Sequence, residues 1–164
     1  MNTKDAANNR RILIPTPLWN HTWSGLRERG HGKVESVGVW AGTRDGLTEH
    51  VKCVHFLSDF GRAYQRKGYH LASTRMLADL FARLQKDHHV LIADVHTHPT
   101  KWVGLSEIDK QHPIEFRPGI HAIVLPSFAR SSPSIARAGI HEYIGNGEWQ
   151  TLSQKAKSTL LTLT

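Results

Sequence analysis

The sequence predicts a single α/β domain. Strand-like runs rich in β-branched and aromatic residues alternate with segments of helical period, a length of 164 residues suits one core rather than two, and no repeat or Pro/Ser-rich linker divides the chain. Residues 1–9 are polar and are expected to form a flexible N-terminus ahead of a domain spanning 10–164.

Arg11-Ile12-Leu13-Ile14-Pro15 reads as a first short strand, and Pro17 to Arg29 as a helix with Leu18, Trp19, Trp23 and Leu26 inward, ended by Gly30 and Gly32. Val34 to Thr43 and Thr48 to Leu57 are β-rich and read as a hairpin turning at Arg44-Asp45-Gly46. Ser58 to Tyr69 mixes glycines, aromatics and basic residues without a period and reads as an exposed loop. From His70 to Lys86, Leu77, Leu80, Phe81 and Leu84 follow the i, i+3, i+4, i+7 spacing of a helix, with Arg75/Asp79 and Asp79/Arg83 as i,i+4 ion pairs. Val90 to Val95 is almost continuously apolar and suits a buried central strand. Ser106 is an N-cap for a short helix reaching Gln111, Ala122 to Leu125 and Ile135 to Ile144 are strands, and Gly145-Asn146-Gly147 turns the chain back towards Trp149. Ser153 to Leu163 suits either a helix or a strand.

Composition excludes several classes. No apolar run approaches the ~20 residues of a membrane span, and the polar start from Met1 to Arg11 lacks the apolar stretch of a secretion signal, so a cytoplasmic protein is expected. Cys53 is the only cysteine, which rules out an internal disulfide, an all-cysteine zinc site and a CxxC redox pair. Any metal must rest mainly on histidines and carboxylates. The net charge of +7 admits an acidic partner, but the Arg and Lys residues are scattered and form no nucleic-acid-binding signature. Twelve histidines are many for this length and invite a search for ligand spacing.

His96 and His98 stand two apart at the end of a predicted strand, so their side chains share one face. Ten residues then separate His98 from Asp109, which stands on the first turn of the helix that Ser106 opens. Two imidazoles and one carboxylate leave a fourth tetrahedral position open, the ligand set of a catalytic rather than a structural zinc, and zinc brings the pKa of water towards ~7. A hydrolase also needs a proton shuttle that does not ligate. Glu35 suits this role because it opens a run of small and apolar strand residues where a carboxylate is costly unless it serves a site.

Taken together, Glu-x2-Gly-x3-Gly from Glu35, His96-Thr97-His98-Pro99 and Ser106-x2-Asp109 resemble the JAMM motif of the MPN-type metalloproteases. The resemblance implies a curved mixed β-sheet flanked by helices, of cytidine-deaminase-like form. It also implies a zinc-dependent isopeptidase or peptidase that cleaves after the C-terminal glycine of a ubiquitin-like modifier. His96, His98 and Asp109 would ligate one zinc per chain, Glu35 would carry the proton, and Ser106 would hydrogen-bond the oxyanion. The small size, without an added targeting domain, resembles stand-alone bacterial members beside ubiquitin-like conjugation genes in antiphage operons. The implied partners are a ubiquitin-like protein or its conjugate and the activating and conjugating enzymes of such an operon. Thr97 and Pro99-Thr100-Lys101 differ from the branch tied to DNA-repair genes, which carries Asn between the histidines followed by Pro-Ser-Gly. A hydrolase of a small amide or sulfur-carrier conjugate, or a non-catalytic basic binding module of the same fold, are the alternatives.

Around this centre, Trp102 and Val103 lie on the loop between the histidines and Ser106, where they either meet the substrate tail or simply pack. Phe60, Arg62 and Tyr64, in a basic and aromatic segment where relatives insert a loop beside the substrate groove, are further candidate substrate contacts. Cys53 and His55 share a strand face, but a lone cysteine in an apolar run reads as core. His88 and His89 read as solvated turn residues, and His112 as an exposed helix-end residue or a partner of the metal ligands.

Overall fold

A computed structural model describes residues 10–61, 64–66 and 69–164. Strands β1 (Arg11–Ile14), β2 (Val37–Asp45), β3 (Thr48–Phe56), β6 (Val90–Thr97), β7 (His121–Leu125), β8 (Gly139–Gly145), β9 (Glu148–Thr151) and β10 (Leu161–Leu163) form one mixed, curled sheet in the order β10-β1-β3-β2-β6-β7-β8-β9. Strands β4 (Tyr64–Arg66) and β5 (Tyr69–Leu71) make a separate two-stranded ribbon. The helices are α1 (Thr16–Arg29), α2 (Thr74–Lys86), α3 (Glu107–Gln111) and α4 (Gln154–Leu160). The expected single α/β domain is therefore observed, with a mixed sheet and helices packed on it.

Period-two alternation along β2 divides its side chains between two cores. Trp40 points to the face covered by α1, where Trp19 and Trp23 bury their rings, while Val39 and Ala41 point to the face covered by α2 through Met76, Leu80 and Leu84. Trp19 meets both Trp23 and Trp40 edge-to-face at 5.9 Å, and the Trp40 indole N–H donates to Thr22, so this layer is fixed in angle as well as buried. At Gly42, where the β2/β3 register shifts, an added Cβ would fall 1.9 Å from the His50 carbonyl oxygen, so the backbone approach needs glycine.

Several boundaries differ from expectation. Ser58–Tyr69 is not simply a loop: a 3-10 turn covers Leu57–Phe60, Leu57 is buried, and the β4/β5 ribbon follows. α2 begins at Thr74, after Ser73 accepts a hydrogen bond from the Met76 N–H, and its buried row is Met76, Leu80 and Leu84, with Leu77 half-buried and Phe81 exposed. Arg83 pairs with Asp87 at 2.7 Å rather than with Asp79. β8 starts at Gly139 because Ile135–Arg137 form a turn, and the carbonyls of Ala136 within it and Ala138 just after it accept from the Lys157 ammonium. The C-terminal segment is helix first and strand second, so neither expectation alone was complete. No helix among the described residues is long and apolar enough to cross a membrane.

Candidate metal centre

β6 carries the site. Its central position, antiparallel to β2 and parallel to β7, buries it on both faces, and Asp94, His96 and His98 follow one another at every second residue along its end. His98 lies just past the last strand residue and is held by its own N–H to the Leu125 carbonyl (2.9 Å) and by the Phe128 N–H to its carbonyl (2.8 Å). Ser127, Phe128 and Ala129 all have positive φ, and this left-handed turn also holds Thr100 through the Ser127 N–H (2.7 Å).

Asp109 is delivered by α3. The Asp109 N–H donates to the Ser106 hydroxyl (3.1 Å) and the Ser106 N–H donates to Asp109 Oδ2 (2.7 Å), a reciprocal cap that fixes the carboxylate's direction. The Ser106 bond uses an oxygen lone pair and leaves the O–H able to donate elsewhere. Asp109 Oδ2 lies 3.3 Å from His98 Nε2, and Oδ1 lies 3.7 Å from His96 Nε2. One ligand atom from each of His96, His98 and Asp109 thus lies within 4.8 Å of the others, and this buried group can hold a metal ion.

Their orientation fits such an ion. His96 Nδ1–H donates to Asp94 Oδ1 (3.3 Å) and His98 Nδ1–H donates to the Trp102 carbonyl (3.2 Å), so both rings turn Nε2 towards Asp109. His96 Nε2 is buried with no hydrogen-bond partner. Two ring nitrogens and a carboxylate facing one another form a donor set that a cation can occupy. The charge balance agrees: burial disfavours a charged His96, but Asp109 and Asp94 outweigh it and push its pKa up to about 10. His121, also buried, on neighbouring β7, has no such carboxylates and is driven by burial, Arg10 and Arg117 down to about 3. For Asp109, burial opposes the charge, yet His96, His98 and Ser106 hold its pKa well below the usual carboxylate range.

Glu35 lies in the lead-in to β2 rather than inside the strand. The β2/β6 register pairs Val37 with His96, and its continuation sets Glu35 opposite His98. Ser36 clamps this lead-in: its N–H donates to Thr97 Oγ1 (3.0 Å), its carbonyl accepts from the Thr97 N–H (3.1 Å), and its hydroxyl donates to the Leu26 carbonyl (2.6 Å). Burial raises the Glu35 pKa, with His98 and His96 pulling it back and Asp109 adding to the rise. Glu35, Asp94, His96 and Asp109 line one cavity of about 40 Å³ together with Leu57 and Leu105, room enough for water.

The outlying candidates separate. Trp102 is 55% exposed and stacks on the His98 ring at 5.1 Å, beside the candidate metal group. Phe60 packs against the α2-side core with its ring edge-on to His55, and does not line that cavity. Tyr64 occupies β4 opposite Leu71, and Arg62 lies outside the described residues, as do residues 1–9. His112 caps the C-terminal end of α3, is exposed, and lines the cavity. Cys53 is only half-buried, with its Sγ 3.4 Å from His55 Nε2 and 3.6 Å from His89 Nδ1. His88 is an exposed turn residue with positive φ, whereas His89 is partly covered. Sequence reasoning missed Asp94, although a carboxylate two positions before His96 in an apolar strand is a legible sign; the Trp102 carbonyl carries no side-chain signal at all.

Fold and site together define an α/β domain with a buried His-His-Asp group suited to a metal ion. The solution structure of protein DSY2949 from Desulfitobacterium hafniense is similar over 93% of this chain and 92% of its own, with a TM-score of 0.67 and 16% sequence identity, which is a likeness of fold. No family model matches the chain.

Proposed function

We propose that the protein is a zinc-dependent hydrolase of the JAMM type, cleaving the peptide or isopeptide bond after the C-terminal glycine of a ubiquitin-like modifier. The observation that carries this reading is the grouping of His96, His98 and Asp109 beside a cavity that Glu35, His96 and Asp109 line, with Ser106 capping the helix that supplies Asp109. His96, His98 and Asp109 would hold the zinc, which when bound would supply a Lewis acid and lower the pKa of water towards neutrality. Glu35, whose raised pKa suits both acceptance and return of a proton, takes one from the attacking water and passes it to the leaving amine. The Ser106 O–H donates to the oxygen that gains charge as the carbonyl becomes tetrahedral. Asp94 and the Trp102 carbonyl hold the imidazoles in the ligating tautomer. The exposed Trp102 ring offers an apolar wall to an extended, glycine-ended tail. A bacterial conjugation pathway, with its activating and conjugating enzymes and a place in antiphage defence, is the setting we propose, in the cytoplasm.

Incubation with a ubiquitin-like protein carrying a C-terminal extension tests the reading. Cleavage after the terminal glycine that stops with a chelator and returns with added zinc is expected. Absence of cleavage from zinc-loaded protein across linear and isopeptide-linked substrates would contradict it.

A further inference from the structure

The buried His141 has no role in the reading above. His141 lies on β8, paired in register with Ala122 of β7 and Thr151 of β9, and is 1% exposed. Burial lowers its pKa, and its neutral ring is held at both nitrogens: Thr151 Oγ1–H donates to Nδ1 (2.9 Å), which leaves the proton on Nε2 to donate to the Val103 carbonyl (2.8 Å). The same carbonyl oxygen would stand only 2.0 Å from a Cβ at Gly139, so the absent side chain there lets the loop sit directly on β8. Val103 follows Trp102, whose carbonyl accepts from His98 Nδ1–H and whose ring stacks on His98 with 18° between the planes. On the other side, Gly104 is pressed against the Trp102 indole, where an added Cβ would lie 2.5 Å from the ring.

We infer that His141 is a positioning residue of the metal centre, anchoring the Trp102–Gly104 loop to β8 so that the Trp102 carbonyl and ring hold His98 in its ligating orientation. This rests on the metal reading of His96, His98 and Asp109. A loop free of its anchor lets the Trp102 carbonyl move away from His98 Nδ1, and His98 then loses the bond that selects its tautomer. Outer partners of metal-bound histidines contribute roughly 10- to 100-fold in affinity, and His141, one step further out, belongs near the lower end at about 10-fold.

The test uses the full-length protein and cobalt(II), whose visible absorption reports ligand geometry. Affinity is measured by chelator competition for wild type, His98→Ala, His141→Leu and His141→Gln, with melting temperatures of the metal-free proteins. His141→Leu is expected to bind cobalt about 10-fold more weakly with a changed absorption band. His141→Gln retains a donor for Val103 and is expected to restore most of the affinity and the wild-type band. Wild-type affinity and spectrum in His141→Leu overturn the inference while leaving the metal reading intact. Equal losses in the Leu and Gln variants that follow their melting temperatures also overturn it, since the role is then structural. Equal, weak binding by wild type and His98→Ala overturns the metal reading, and the inference with it.

Discussion

Two pairs of ligand-type side chains stand two residues apart on the same sheet, His96 and His98 at the end of β6 and Cys53 and His55 on β3, and their surroundings differ. Both pairs share a face because of strand geometry, so spacing brings each together equally well. Around His96 and His98, carboxylates and a carbonyl set both tautomers, α3 delivers Asp109, and a cavity admits water. Around Cys53 and His55, His89 is the third neighbour, and the nearby Asp87 carboxylate is already taken by Arg83. The charge preferences run in opposite directions. Burial and the charge of Asp87 push the Cys53 thiol up, and burial with Arg83 pushes His55 down, so the β3 pair favours neutral forms, whereas the carboxylates of Asp109 and Asp94 favour positive charge at His96. Spacing supplies proximity; the second layer of partners decides whether a cation is wanted.

The largest expected effect in turnover comes from Glu35→Gln. It keeps the cavity's shape and the three ligands, so zinc content should match wild type while cleavage falls by roughly 10² to 10⁴. Metal loss in parallel with activity would reassign Glu35 as a ligand. Ser106→Ala should follow, lowering kcat by about 10² to 10³ with little change in KM. Because Ser106 also caps α3, about 1 kcal/mol of stability should go with it, and thermal melts run beside the kinetics separate the two effects. A variant with full turnover would leave Ser106 as a cap alone. Asp94→Asn sharpens the comparison directly, since it removes the charge that the β3 pair lacks: zinc affinity should drop by about 10- to 100-fold in chelator competition, and an unchanged affinity would show that the outer carboxylate does not distinguish the two pairs. The smallest effect belongs to Cys53→Ala, which should leave zinc stoichiometry and turnover at wild-type values; a lost equivalent of zinc would break the comparison.

Much of this was readable in the chain. The α2 period, the apolar run of β6 and the local spacings of Glu35, His96, His98, Ser106 and Asp109 come from residue identities that a strand or a helix cap uses in one way. What escaped depends on tertiary contact. The β4/β5 ribbon has no period of its own, and packing selects the Met76, Leu80 and Leu84 row of α2 as the buried one while Phe81 stays exposed. The edge-on contact of Phe60 with His55 joins residues on two elements, which composition does not encode. The Trp102 carbonyl and the His141 anchor depend on where a loop crosses β8, and no spacing along the chain encodes that crossing.

The most direct measurement of the central claim is zinc per chain in the purified protein and in His98→Ala, determined by elemental analysis after dialysis against metal-free buffer. With three ligands preset around a shared point, the wild type should retain about one zinc and the variant, left with two ligands, should lose most of it. Full zinc occupancy in His98→Ala, or none in either protein after zinc loading, would contradict the account.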